Sequence, residues 1–148
     1  MASAPDPSPP AAAAAGVIDL VVDTSAVLAV LLGAPPAAAL VEQLHAAVQP
    51  AVAAPTRTEI LLVALVKLGE VGRNRAEQFL EQQVILTIPW DQALADAAAD
   101  AFQRFGRGRH PAGLNFGDCF SYALARHFRV PLLFVGDDFS RTDLPSLR

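Results

Sequence analysis

The sequence predicts an α/β fold with a central parallel β-sheet flanked by α-helices. Four short apolar runs alternate with stretches of helical period, the pattern of strand–helix–strand units. A length of 148 residues suits one domain with room for a continuous core. Hydrophobic residues make up 53% and charged residues 18%, too apolar a balance for a disordered chain. Part of that apolar fraction is alanine, 29 residues of helix-forming volume that fill little core. No run approaches the ~18 apolar residues of a membrane span. The single cysteine, Cys119, excludes an internal disulfide framework and any multi-cysteine zinc site.

Residues 1–16 (MASAPDPSPPAAAAAG) carry Pro, Ala and Ser, one charge and no large apolar side chain, so they read as a disordered extension. They lack the basic start and uninterrupted apolar stretch of a secretory signal, and with one free thiol the chain reads as cytoplasmic. Residues 17–148 form the domain. Its first strand is expected over 17–22 (VIDLVV), ending at Asp23. A short helix follows over 25–32, stopped by Gly33 and the Pro35–Pro36 pair, and another over 37–47. A second strand over 51–54 leads to Pro55, placed for the first turn of a helix over 56–68 that Gly69 closes. A polar-faced helix over 73–83, a strand over 84–88 and helices over 91–105 and 116–128 complete the alternation. Pro131 opens the last strand, 132–135 (LLFV).

The acids fall where such a sheet does its chemistry, at the carboxyl ends of the strands. Asp23 directly follows strand one; Asp137 and Asp138 follow the last strand with Gly136 between; Glu59 and Asp118 lie in first turns of helices. Each alone reads equally well as a helix-dipole or capping acid. Together, four segments aim carboxylates at one pocket, where they repel one another unless a cation joins them. Hard oxygen donors without a Cys or His cluster suit Mg²⁺, with Mn²⁺ as a substitute, and the chemistry they support is activation of water for attack on a phosphodiester.

The stretches VVDTSAVLAVL, PTRTEILLVAL, GRGRHPAGLNFGDCFSYALA and LLFVGDDFSRTDL resemble PIN-domain ribonucleases, and among them the VapC toxins of bacterial type II toxin–antitoxin pairs. The resemblance covers residues 17 to about 144 and implies a PIN-like domain. It also implies Mg²⁺-dependent endoribonuclease activity on RNA, a homodimer and a cognate VapB-type antitoxin protein. It carries the first family acid onto Asp23, the second onto Glu59 and the third onto Asp118, with Asp23 and Asp118 as principal metal ligands. The fourth acid falls on Asp138, the second position of the GDD step, with Asp137 as the alternative. Thr24 and Ser25 match hydroxyl positions that orient water or phosphate, and they read equally as the N-cap of the next helix.

Arg107 and Arg109, in the Gly-rich loop leading to Asp118, are candidate phosphate contacts. His110 in the same loop has no role that water cannot fill. His45 and His127 lack partners at metal-ligand spacing and read as surface residues. Cys119 reads as a small buried residue, Trp90 as core, Asp19 as the exposed start of strand one, and Asp143 as structural. The segment 56–68 is apolar on nearly every face, which points to burial or to a contact with a second copy or the antitoxin.

Two other classes compete. A haloacid-dehalogenase-like phosphatase also places an Asp after strand one and a GDD late, but it needs a second acid two residues after the first, where Ser25 stands. The only lysine, Lys67, lies in the apolar helix, which also disfavours a phospho-accepting receiver domain. A catalytically inactive PIN module that binds RNA or protein is the non-enzymatic reading. The net charge of −4 runs against RNA, yet residues 1–103 hold 4 basic and 11 acidic side chains, and residues 104–148 hold 7 and 4. Three of those last four acids belong to the candidate site, so a bound cation would leave the C-terminal arginines facing substrate.

Overall fold

Leu20–Val22 (β1) is three residues long and buried on both faces, as a strand covered by helices on either side must be. The computed structural model describes residues 17–147, so the expectation for residues 1–16 lies outside the described residues. From β1 the chain runs through helices Thr24–Leu31 (α1) and Ala37–Ala46 (α2) to strand Pro50–Ala53 (β2). Next come a long helix, Ala54–Gln82 (α3), strand Leu86–Ile88 (β3), helices Gln92–Phe105 (α4) and Phe116–Phe128 (α5), and strand Leu132–Leu133 (β4). The sheet order is β3–β2–β1–β4 and every pairing is parallel, with Val21 opposite both Ala51 and Leu132.

Side-chain alternation splits the core into two layers. Val21, Ala51, Ala53 and Leu132 face α4 and α5. Leu20, Val22, Val52 and Leu133 face α1, α2 and α3. The predicted α/β class, element order and parallel sheet are all present. The strands are shorter than their apolar runs because Val17–Asp19 and Phe134–Val135 extend past the ladder.

Three local expectations need correction. The helices expected over 56–68 and 73–83 run together as α3, with a single non-helical residue at Gly69 (φ 72°, ψ −166°). That conformation suits glycine, so Gly69 bends the path without a connecting loop. The N-cap of α1 is Asp23 itself, whose carboxylate accepts from Ser25 N–H, and neither Thr24 nor Ser25 takes that place. Asp19, expected as an exposed strand start, instead accepts from the N–H groups of Val48 (2.8 Å) and Gln49 (2.9 Å), fixing the entry to β2.

Beyond β4 the chain folds back over α4 and α5. Asp143 accepts from the Tyr122 hydroxyl, from Arg126 (2.9 Å) and from Arg104 (3.3 Å). Burial opposes its ionised form, and the Tyr122 bond and the two guanidinium groups overcome this and hold the carboxyl below its usual range. Its structural reading therefore has a specific content: it fastens the C-terminal segment across two helices.

Candidate active site

The strand order reverses at β1. The chain steps outward from β1 to β2 and β3, then returns to β1's other side with β4, making the β1–β4 edge the place where open parallel sheets form a crevice. Asp23 sits there, one residue past β1, its N–H donating to Leu133 C=O of β4 at 2.9 Å. Its side chain is 4% exposed, and a carboxylate so buried needs donors. Oδ2 accepts from Ser25 Oγ (2.7 Å) and Ser25 N (3.1 Å), and Oδ1 accepts from Ser121 Oγ (2.6 Å). Ser25 Oγ also accepts from Val135 N–H at 3.0 Å, so this hydroxyl ties the end of β4 to the end of β1. Its proton is committed to Asp23, which makes Ser25 a positioning residue.

Glu59 arrives from the first half of α3. Its Oε1 accepts from Thr24 Oγ1 at 2.5 Å. Its Oε2 lies over Gly117: a Cβ placed there would stand 2.2 Å from that oxygen. Glu59 therefore bridges the start of α1 and the start of α5, beside Asp118.

Asp118 closes a capping box at the head of α5, accepting from Asn115 N–H (3.0 Å) while Asn115 Oδ1 accepts from Asp118 N–H (2.9 Å). Its pKa is pushed up to about 6, first by burial and further by the charges of Asp23, Asp138 and Glu59, against the lowering effect of the Asn115 bond. The carboxylates thus feel one another, as one anionic pocket. Asp138 contributes to that field. Asp137 and Asp138 are both exposed; the backbone carbonyl of Asp137 accepts from Ser140 Oγ at 2.6 Å.

The donors are all hard oxygens and the pocket has excess negative charge, which suits a divalent cation. Among the described residues no three His, Cys, Asp or Glu side chains close into a ready-made cage. Mg²⁺ keeps several waters and is held through one or two carboxylates, so the pair Asp23 and Asp118 fits a hydrated ion.

Other candidates disperse. Arg109 turns back, its Nε donating to Gln103 C=O at 3.1 Å, whereas Arg107 is exposed at the loop edge. His110 accepts from Ala112 N–H and stands edge-on to Phe105. His45 and His127 are exposed, and Trp90 packs on the core beside Phe120. The Cys119 thiol is buried and pushed up to about 11 by that burial and by Asp118, so it is a poor nucleophile. Gly117 and Ser121 are the site residues that sequence reasoning passed over. Ser121 stands one helical turn past Asp118, a spacing that puts both on one face; Gly117 is a helix-weakening residue in a first turn.

The PIN domain family profile matches residues 20–144, nearly all of the described chain. The chain belongs to the PIN-domain family. This PIN domain is 43% identical over 126 residues to Ribonuclease VapC36 of Mycobacterium tuberculosis, covering 84% of this chain and 91% of that one. It is 40% identical over 135 residues to Ribonuclease VapC of Mycolicibacterium smegmatis, covering 86% and 99%. Its fold is similar to that of Mycobacterium tuberculosis VapC20, described as a sarcin-ricin loop cleaving toxin, with a TM-score of 0.72 at 16% identity over 88% of this chain and 99% of that one. A toxin–antitoxin complex from Klebsiella pneumoniae gives 0.66 at 18% identity over 86% and 97%. PIN-domain nucleases of the VapC kind generally work with divalent metal ions. The family match removes the phosphatase and receiver alternatives. Among the described residues of this PIN domain, no helix is long and apolar enough to cross a membrane.

Proposed function

We propose that the chain is a Mg²⁺-dependent endoribonuclease, the toxin of a type II toxin–antitoxin pair, acting in the cytoplasm. The observation that carries this reading is the meeting of Asp23, Glu59 and Asp118, with Asp138 at its edge, where the sheet order reverses in a PIN domain. In this reading Asp23 and Asp118 hold the ion, Asp138 completes the charge on its open side, and Glu59 orients the attacking water. When bound, the ion supplies Lewis-acid chemistry, polarising the phosphate and lowering the pKa of water. The chain's own work is positioning. Ser25 and Ser121 fix both oxygens of Asp23; Thr24 anchors one oxygen of Glu59 and leaves the other facing Gly117 and the pocket. Arg107 meets the RNA backbone at the rim.

The test is incubation of the purified protein with total RNA. Cleavage is expected with Mg²⁺ and none with EDTA. Because the metal-free Asp118 takes up a proton near pH 6, and protons compete with metal for a carboxylate, the rate at limiting Mg²⁺ should fall as pH drops through that value and recover at higher Mg²⁺. Cleavage that persists in EDTA would sink the metal mechanism.

The same reading includes an antitoxin and a homodimer. Ile60 and Ala64 of α3 are buried, but Leu62, Val66 and Val71 are 56%, 83% and 70% exposed on the same helix. An apolar edge of this kind is a contact surface, here assigned to a second copy. Sedimentation should show a dimer that Val66→Asp weakens; a wild-type monomer at every concentration would overturn the assignment.

A further inference from the structure

Asn115 is the residue before α5, and the two ends of its side-chain amide are used differently. Its Oδ1 accepts from Asp118 N–H at 2.9 Å, while Asp118 Oδ2 accepts from Asn115 N–H at 3.0 Å. The helix asks nothing more of it: an N-cap needs one acceptor oxygen, and Asn, Asp and Ser serve about equally. The other end, Nδ2, donates to no protein group among the described residues. It is held still all the same. The bond to Asp118 fixes the amide plane. Leu114, just before it, is buried and tied on both sides, donating to Phe105 C=O at 2.9 Å and accepting from Arg107 N–H at 2.9 Å. A planar donor is thus fixed and exposed at the head of α5.

Its position relative to the acids follows from the helix. Asn115, Asp118 and Ser121 are spaced by three, so they lie along one face. Ser121 is buried at the inner end, donating to Asp23 Oδ1 at 2.6 Å; Asp118 is half-buried; Asn115 is exposed at the outer end. Gly117, inside the same turn, lies under Glu59. The stripe therefore runs from Asp23 past Asp118 and out to the amide, at the mouth of the acid pocket. Hydrogen-bond donors there are already engaged. Ser25 and Ser121 give their hydroxyl protons to Asp23, Thr24 gives its proton to Glu59, and the Asn115 backbone N–H goes to Asp118. The Asn115 amide adds two N–H donors beside these groups, and no described residue takes either. A phosphodiester is an anion entering a pocket of carboxylates, so it needs donors besides the ion. A guanidinium or ammonium here would pair with the acids in place of the metal; a neutral amide donates without competing.

We infer that the Asn115 side-chain amide donates to a non-bridging oxygen of the scissile phosphate, making Asn115 a substrate-binding residue of the site. The inference rests on the ribonuclease reading and deepens it. The helix cap fixes the amide in advance, so little freedom is lost when RNA binds. The contact is to a phosphate and carries no base preference.

The experiment uses a single-stranded RNA that the wild type cuts, prepared with sulfur in place of each non-bridging oxygen of the cleaved phosphate in turn. Two variants keep the cap and remove the amide: Asn115→Asp keeps shape, and Asn115→Ser keeps neutrality. Both should lower kcat/KM on the normal RNA about tenfold or more, the scale of a hydrogen bond to a charged group. Both should melt with the wild type, and Mg²⁺ should still raise their melting temperatures. Sulfur accepts hydrogen bonds poorly, so one sulfur isomer should slow the wild type about tenfold more than it slows Asn115→Ser. Slowing that arises at the ion should be equal in the two enzymes. Sulfur effects that match in wild type and variant at both oxygens overturn the inference while the nuclease reading stands. So does an Asn115→Ser enzyme as fast as the wild type, or a loss of rate that follows a fall in melting temperature, which would leave Asn115 a helix cap and nothing else. A wild type that cuts no RNA overturns both readings.

Discussion

Asp118→Asn should lower RNA cleavage about a thousandfold, since metal stabilisation is worth several kcal/mol and each ~1.4 kcal/mol is a factor of ten. The substitution keeps shape and an oxygen that can accept from Asn115 N–H, so the helix cap survives. What is lost is the charge. The effect on stability should run the opposite way. In the metal-free protein Asp118 titrates near 6, above its ordinary 3.8, so the stability tied to its neutral form is fully present below that ordinary value and is lost as pH rises through 6. The variant should melt higher than the wild type at neutral pH without Mg²⁺, and the two should converge below about pH 4. Mg²⁺ should raise the melting temperature of the wild type and leave the variant nearly unmoved. A variant that melts lower at neutral pH would show that Asp118 is held for structure.

Gly117→Ala should cost about a hundredfold in kcat, the scale of a misplacement of roughly 1 Å at a reacting group. The added methyl would stand 2.2 Å from Glu59 Oε2 and 2.9 Å from its Cδ. The carboxylate is the free end of a flexible side chain and gives way, breaking its bond to Thr24 and leaving the pocket. Folding should not suffer, because alanine is the better helix former by about 0.5–1 kcal/mol. An intact or raised melting temperature with a collapsed rate separates loss of position from loss of fold. The double variant Gly117→Ala/Glu59→Ala should be no slower than Glu59→Ala alone, since both remove one function. Additive losses would mean that Gly117 acts on something other than Glu59.

Much of this site was legible because its chemistry is carried by charge. Asp23 after an apolar run, Glu59 and Asp118 near helix starts, and a late GDD step are conspicuous in a chain with only 18% charged residues. The strand–helix alternation supplied the shared edge, and the motifs supplied the family. Ser121 and Gly117 were not legible, because their roles come from what lies opposite them: Asp23 for the hydroxyl, Glu59 for the missing side chain. Those neighbours are 98 and 58 residues away, contacts that local periodicity cannot contain. The motif already ranks Asp138 above Asp137, and the charge of Asp138 is among those that raise the Asp118 pKa. At Gly69 the sequence marked a helix end correctly in conformation but not in consequence, because the chain resumed its helix at once.

The tie between Ser25 and Val135 joins parts of the chain 110 positions apart, and β4 enters the sheet only after every other strand. A chain growing from its amino end therefore holds Asp23, Glu59 and Asp118 before it holds the strand and the turn that close the pocket. For an enzyme whose substrate is RNA, the order of the strands is also an order in time. Cutting power arrives with the last strand of the sheet, after the other acids have been made.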